Sequence, residues 1–304
     1  MRKQWLLIVF FTACIASIFS YTACTYDYFV DETNYIVYIP EVKDKTIDGC
    51  RVMVYDKSGL LVGDKSTSTS THDTKIPLGL FTFRLPVGDY KVYCYANTDG
   101  VAFSDENSYE TSAFSLLSHE TGDSYSQPSD VFFDILEHTV KHPGILVSDT
   151  AAIERYVGRI TVRFKNFPFD ITNLASIDLL AEGVATKQYL KHDTLTTYIA
   201  EGDVMKHTND LSTISLAGGV LEVDHRYFPS VENSYKTLNF MFFDSGGTQI
   251  ARIPVGVADP DTYIPYRLYY GKRLIIEVDR YLITTIQLVG WDEDIKTGGE
   301  VGVW

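Results

Sequence analysis

Most of the chain consists of short runs in which apolar and polar residues alternate, broken by Gly, Pro, Asn, Asp or Ser. Alternation with a period of two puts alternate side chains on opposite faces of a pleated strand, so these runs predict half-buried β-strands. In the first half they fall at Tyr35–Ile39, Val52–Tyr55, Leu60–Gly63, Phe81–Leu85 and Tyr90–Ala96. Leu85-Pro86-Val87-Gly88-Asp89-Tyr90 reads as strand, tight turn, strand, because Pro86 fixes φ and Gly88 tolerates positive φ. Asp56-Lys57-Ser58-Gly59 and Asp244-Ser245-Gly246-Gly247 read as hairpin turns. Ser66 to Thr71 has no apolar face and predicts a mobile loop. Thr98 to Gln127 is polar and turn-rich, with one apolar patch at Phe114–Leu117.

The composition turns loop-like from Pro143 to Ala152, and the pattern then restarts. Ile160, Val162 and Phe164 alternate with Arg159, Thr161 and Arg163, a strand with a cationic outer face. Further strands are predicted at Ser176–Ala181, Leu195–Ala200, Thr213–Leu216, Val220–Val223, Thr237–Phe243, Gln249–Val255, Tyr266–Tyr270, Leu274–Val278 and Thr284–Val289. No stretch keeps a long 3.6-residue apolar period, so few helices are expected. The fold class this predicts is all-β: two tandem antiparallel β-sandwich domains, residues 34–150 and 151–304. A length of 304 residues suits two ordinary domains.

The first residues break the pattern. Met1-Arg2-Lys3 is basic, Trp5 to Tyr21 is apolar to small, and Ser20-Tyr21-Thr22-Ala23 leads into Cys24. Small residues before a cysteine suit a lipoprotein signal peptidase, so residues 1–23 read as a cleaved leader and Cys24 as the lipidated first residue. Residues 24–33 then form a tether. Cleavage removes two bases and no acid, making a chain already at formal charge -14 more acidic still. Such a chain repels phosphate backbones, and a nucleic-acid partner is not expected. It also repels anionic headgroups, so acyl chains must do the anchoring.

Of the other cysteines, Cys14 goes with the leader. Cys50 and Cys94 each share a strand face with apolar neighbours, which leaves two readings: a disulfide in an oxidising compartment, or two buried thiols packing as small hydrophobes. No C-x-x-C spacing is present, nor is G-x-S-x-G, H-E-x-x-H, a Walker loop or a dinucleotide fingerprint. His138 and His142 have a metal spacing only on a helix, which Pro143 disfavours, so they read as exposed loop histidines. Asp292-Glu293-Asp294 reads as a solvated acidic tail, and Asp99, Asp105, Glu106 and Asn107 as a solvated cluster. The 21 tyrosines could stack sugar rings, but sheet packing should take most of them. No catalytic residues, metal or cofactor are expected.

Three passages carry a resemblance: the lipobox ending in Cys24, Phe83-Arg84-Leu85-Pro86-Val87-Gly88-Asp89-Tyr90-Lys91-Val92-Tyr93-Cys94-Tyr95-Ala96-Asn97, and Arg155-Tyr156-Val157-Gly158-Arg159-Ile160-Thr161-Val162. With a closing strand that ends at Trp291, the chain resembles the FimB-type fimbrillin-associated anchor lipoproteins of Gram-negative gut and oral anaerobes. The resemblance implies transthyretin-like sandwiches, no catalytic residues, an outer-membrane location, and a role in anchoring fimbriae or in adhesion. It implies fimbrillin-type subunits as partners, joined by strand addition. The edge near Tyr35–Ile39 or the run Thr284–Val289 is the expected acceptor. The alternative is a surface lipoprotein that binds glycans. Asp149-Thr150-Ala151 and Asp193-Thr194-Leu195 match the Asp-Thr-aliphatic sequon for O-glycosylation in such organisms, with Thr150 in the expected linker.

Overall fold

A computed structural model of the chain describes residues 33–43, 45–119, 124–167, 169–190, 196–198, 204–210, 215–217, 219–230, 236–259 and 262–294. Among these residues there is no helix. The first half is built on a five-stranded antiparallel sheet: β2 (Gly49–Asp56), β3 (Leu61–Ser68), β5 (Gly88–Ala96), β8 (Phe132–Val140) and β10 (Glu154–Arg155), in the order β10-β8-β5-β2-β3. Alternation gives it two apolar faces. Cys50, Val52, Val54, Val92, Cys94 and Ala96 meet a three-stranded sheet of β1 (Tyr35–Tyr38), β4 (Leu80–Phe83) and β9 (Val147–Thr150). Met53, Tyr55, Tyr93 and Tyr95 face the other way, into a core shared with the second half.

The second half is a sandwich of two sheets. One is β16-β17-β11-β20-β21, made of β11 (Gly158–Lys165), β16 (Ser215–Ala217), β17 (Val220–Tyr227), β20 (Lys272–Asp279) and β21 (Leu282–Gly290). The other is β15-β12-β18-β19, made of β12 (Leu174–Glu182), β15 (Val204–Asp210), β18 (Thr237–Asp244) and β19 (Gln249–Gly256). Ile160, Val162 and Phe164 of β11 are buried, and Phe164 meets Phe240 and Phe242 of β18 edge-on at 5.1 and 5.4 Å. Most pairs are antiparallel, but β1–β9 and β11–β20 are parallel.

A fifth sheet bridges the expected division near residue 150. The hairpin β6 (Val101–Ser104) and β7 (Ala113–Leu116) comes from the first half, and β13 (Lys187–Tyr189) and β14 (Thr196–Tyr198) from the second. β7 pairs with β13, Phe114 opposite Gln188. The four-residue strand β7 would otherwise leave backbone donors and acceptors open at a buried edge, and β13 satisfies them. Its inward side chains complete the shared core. Phe114 packs on Tyr95, Phe103, Tyr156 and Phe228 with ring centroids 5.3 to 6.1 Å apart.

Several local expectations change. Ser66–Ser68 belong to β3 rather than to a loop. Tyr266–Tyr270 lie outside any strand. The segment around Pro86–Gly88 joins β4 to β5, which lie in different sheets, so it is a crossover between layers. The hairpin turns stand as read. Asp56 Oδ1 accepts the Ser58 and Leu60 N–H groups, and Asp244 Oδ1 those of Gly246 and Thr248. Gly59 and Gly247 take φ of 83° and 79°, conformations a side chain would disfavour.

Candidate functional site

For a protein expected to work by strand addition, the first question is which strand edges are open. β1 lies between β4 and β9 and pairs with both, so Tyr35–Ile39 is no acceptor. The expectation fails there because β9, which the pattern did not reveal, returns to lie beside β1. The other expected run, Thr284–Val289, lies in β21, an edge strand of the second sandwich.

Among the described residues, the edges of eight or more residues are β3, β19 and β21. Charged residues and prolines blunt an edge against further pairing. β3 carries Asp64 and Lys65, and β19 carries Arg252 and Pro254. β21 reads Leu-Ile-Thr-Thr-Ile-Gln-Leu-Val-Gly, with neither. On its core face Leu288 stands opposite Leu274 and Ile286 opposite Ile276. Ile286 is 6% exposed but Leu288 is 41% exposed, an inward apolar side chain with its outer flank uncovered. Beyond the strand, Glu293 Oε2 accepts the Gly290 N–H and closes the edge at that end.

The outer face of the same sheet holds the cationic stripe expected on β11. Pairing sets Arg226, Arg159 and Arg273 side by side on β17, β11 and β20, and sets Arg163 between Glu222 and Glu277. Like charges in register repel, so the row needs partners. Arg273 donates to Thr161 Oγ1 at 2.6 Å and to Glu222 at 3.0 Å. Arg163 donates to Glu222 at 2.6 Å and pairs with Asp294 at 2.8 Å. Burial works against its charge, but Asp294 and Glu222 together hold the Arg163 guanidinium above its usual value. Segment 291–294 thus lies across the stripe, its three acids solvent-exposed as expected but Asp294 also paired with Arg163. Asp294 neutralises Arg163, and the Glu293 carbonyl accepts from Arg273 at 3.4 Å. Trp291 lies under two arginines, with the Arg155 guanidinium 3.9 Å and that of Arg159 4.9 Å from its ring.

Beneath this face lies His225, 1% exposed. Asn209 Nδ2 donates to its Nε2 at 2.9 Å, which suits a neutral ring. Burial, then the neighbouring His207 and Arg226, pulls its pKa down to about 3. The unfolded chain takes up this proton near pH 6.5 and the folded chain does not. Stability is therefore complete above about pH 6.5 and lost as pH falls from there towards 3. Urea midpoints are expected to drop between pH 7 and 5, above the range where carboxylates protonate, and the drop should shrink in His225→Gln. An equal drop in the variant would assign the effect elsewhere.

The other expected site residues fall as follows. Cys24 and Thr194 lie outside the described residues. Cys50 and Cys94 are buried free thiols rather than a disulfide. Pairing puts Cys50 opposite Ala96 and Cys94 opposite Val52, so the two are diagonal neighbours that do not face one another. Thr150 is exposed at the end of β9, in an edge strand and not a linker. His138 is not a loop residue. It is buried on β8, stacks on Tyr35 at 3.8 Å, and has Nδ1 3.0 Å from Asp149. His142 is exposed. Glu106 pairs with Arg51 and is not merely solvated. Tyr35, Tyr55, Tyr93, Tyr95 and Tyr227 are fully buried, the sheet packing expected of most tyrosines. Among the described residues, no three or more His, Cys, Asp or Glu are grouped to hold a metal.

The profile of the fimbrillin-A associated anchor proteins Mfa1 and Mfa2 matches residues 32–297. No curated protein matches the chain in sequence. Among solved structures, the fold is similar to that of the fimbrial anchor protein Mfa2 from Porphyromonas gingivalis, with 14% identity, 86% of this chain and 98% of that one covered, and a TM-score of 0.52. It is also similar to a protein from Bacteroides thetaiotaomicron described as a candidate polysaccharide binder (13% identity, 87% and 99% covered, TM-score 0.56). A candidate adhesin from Bacteroides ovatus gives 16% identity, 84% and 94% covered, and a TM-score of 0.54. At these identities the likeness is one of fold.

Proposed function

The chain belongs to the family of fimbrillin-A associated anchor proteins, and from that membership we propose a lipid-anchored fimbrial anchor or accessory subunit, joined to its neighbour by strand addition at β21. The observation that carries this reading is the β21 edge, long, uncharged and free of proline, with Leu288 uncovered on its core face. An incoming strand would satisfy its open N–H and C=O groups and cover Leu288 with its own inward side chains. No catalytic step is part of this role. Each half is a sandwich domain in this reading, with the β6-β7-β13-β14 sheet coupling them under load.

The anchor is lipid on Cys24 at the outer membrane, with the protein on the cell surface. Three acyl chains hold effectively permanently where one holds only marginally. Mass spectrometry of protein from the native host should find a lipidated Cys24 as the first residue. An unmodified Cys24 within an intact leader would end the lipid-anchor reading. The same protein reports on O-glycosylation at Thr150 and Thr194, where a glycan mass on either peptide is the expected result and bare peptides would remove both sites. The role itself is tested by deleting the gene. Fimbriae should then appear in the medium, whereas fimbriae still held on the cells would contradict an anchor.

A further inference from the structure

A cavity of about 270 Å³ opens beside Trp291, over the outer ends of β11 and β17 and against the segment 127–130. Two of its lining guanidinia, Arg159 and Arg226, are cross-strand neighbours. Neither has a close carboxylate partner. Arg159 Nε is buried without a hydrogen bond, the nearest carboxylate being Asp224 at 3.9 Å, and the guanidinium otherwise donates to the Trp291 carbonyl. Arg226 Nε donates to the Pro128 carbonyl at 2.9 Å, and no carboxylate pairs with this guanidinium among the described residues. Arg155, beside them, is fully engaged by Asp130 at 2.5 and 2.8 Å. An orphaned buried donor costs free energy and points to a missing acceptor. Burial disfavours the charge on both guanidinia, and the other arginines add to this, so both lie below their usual pKa while staying protonated.

We propose that this cavity binds the carboxylate of an acidic sugar, a uronic-acid-type residue, between Arg159 and Arg226. Paired guanidinium forks match the plane of a carboxylate, and a carboxylate between them would supply the close counter-charge that both lack. The rest of the lining selects the sugar. Asp130, Asp224, Asp292 and Gln127 offer acceptors, and Lys45 a donor. Sugar hydroxyls donate and accept, and so suit a mixed lining. An acidic side chain only accepts, so a protein segment would have to meet the three carboxylates with backbone N–H groups, whereas the sugar brings its donors on the same ring. The volume lies just below that of pockets for drug-sized ligands, room for one sugar ring. The site does not depend on strand addition at β21, and the two are tested separately.

Calorimetric titration of the mature protein with glucuronic acid is the test, with glucose and acetate as probes that separate ring from charge. Glucuronate should bind, and both controls should bind at least about tenfold more weakly, the scale of one lost charged hydrogen-bonded contact. Arg226→Gln should weaken glucuronate by a similar factor. Arg226→Lys, which keeps charge and stem but loses the fork, guards against a folding defect and should also weaken binding, with its unfolding midpoint unchanged. Failure of glucuronate to bind, or equal binding by both variants, overturns the site. Acetate or a glutamate peptide binding as tightly as glucuronate overturns the sugar in favour of an acidic protein segment.

Discussion

Phe114→Ala is expected to destabilise the protein by about 3–5 kcal/mol, the usual cost of truncating a buried phenylalanine. The ring is fully buried and touches Tyr95 and Phe103 on one side of residue 150, and Tyr156 and Phe228 on the other. Nothing nearby can collapse into the gap easily. Tyr156 is tied to Gln188 Oε1 at 2.7 Å, and Tyr93 to the Leu190 carbonyl at 3.2 Å, so these two rings are held in place by their hydroxyls. The loss falls at the joint between the halves, which gives it a second signature. Labelling of the buried Cys94 thiol reports opening of the first sheet, and tryptophan emission, to which Trp291 contributes, reports the second sandwich. The two probes should unfold together in the native chain and separate in Phe114→Ala. A cost under about 1 kcal/mol, the range of ordinary substitutions, would show that the halves do not share this core.

That joint also marks the limit of what the residue pattern could reveal. The hairpin turns and the core strands β2, β5, β11, β18 and β20 were legible, because each has clean alternation or a turn whose chemistry is local. β8 was not. Its sequence Phe-Phe-Asp-Ile-Leu-Glu-His-Thr-Val breaks the period of two, and its polar residues are accommodated by distant groups. Asp134 accepts the Ala152 N–H at 2.7 Å and His138 meets Asp149. Without those partners in view, the stretch looks like a loop. β7 and β13 are too short to announce themselves, and their pairing spans 74 positions of sequence at Phe114 and Gln188. The cationic face of β11 was legible as a pattern. Its neutralisation by Glu222 and Asp294 was not, since those residues come from another strand and from a segment 131 positions further along the chain than Arg163. Edges were the least legible feature, because whether a strand is central depends on which later segment returns beside it.

Leu288→Lys is expected to abolish attachment of fimbriae while leaving the fold intact. Natural proteins protect sheet edges with an inward-pointing charge, which an incoming strand would have to bury. In the free protein the lysine has an escape. Leu288 is already 41% exposed, and a long side chain can carry its ammonium past the rim into water. Once a partner strand lies alongside, that route closes and the charge is trapped against Leu274, which is fully buried opposite. An unpaired buried charge costs several kcal/mol, comparable to the whole free energy of a modest complex. Burial also works against a lysine charge elsewhere in this chain: at Lys236, just before β18, it lowers the pKa to about 8. Gln287→Cys provides the complementary measurement. Its side chain points to the outer face, opposite Ile275, so crosslinking there should capture a fimbrillin-type subunit without disturbing the core. The decisive pattern is capture by Gln287→Cys, loss of capture when Leu288→Lys is added, and an unchanged melting temperature in both. If the double variant still captures its partner and fimbriae stay on the cells, β21 is not the acceptor. Another edge would then be the acceptor; the two of similar length, β3 and β19, carry Lys65 and Pro254 in the way.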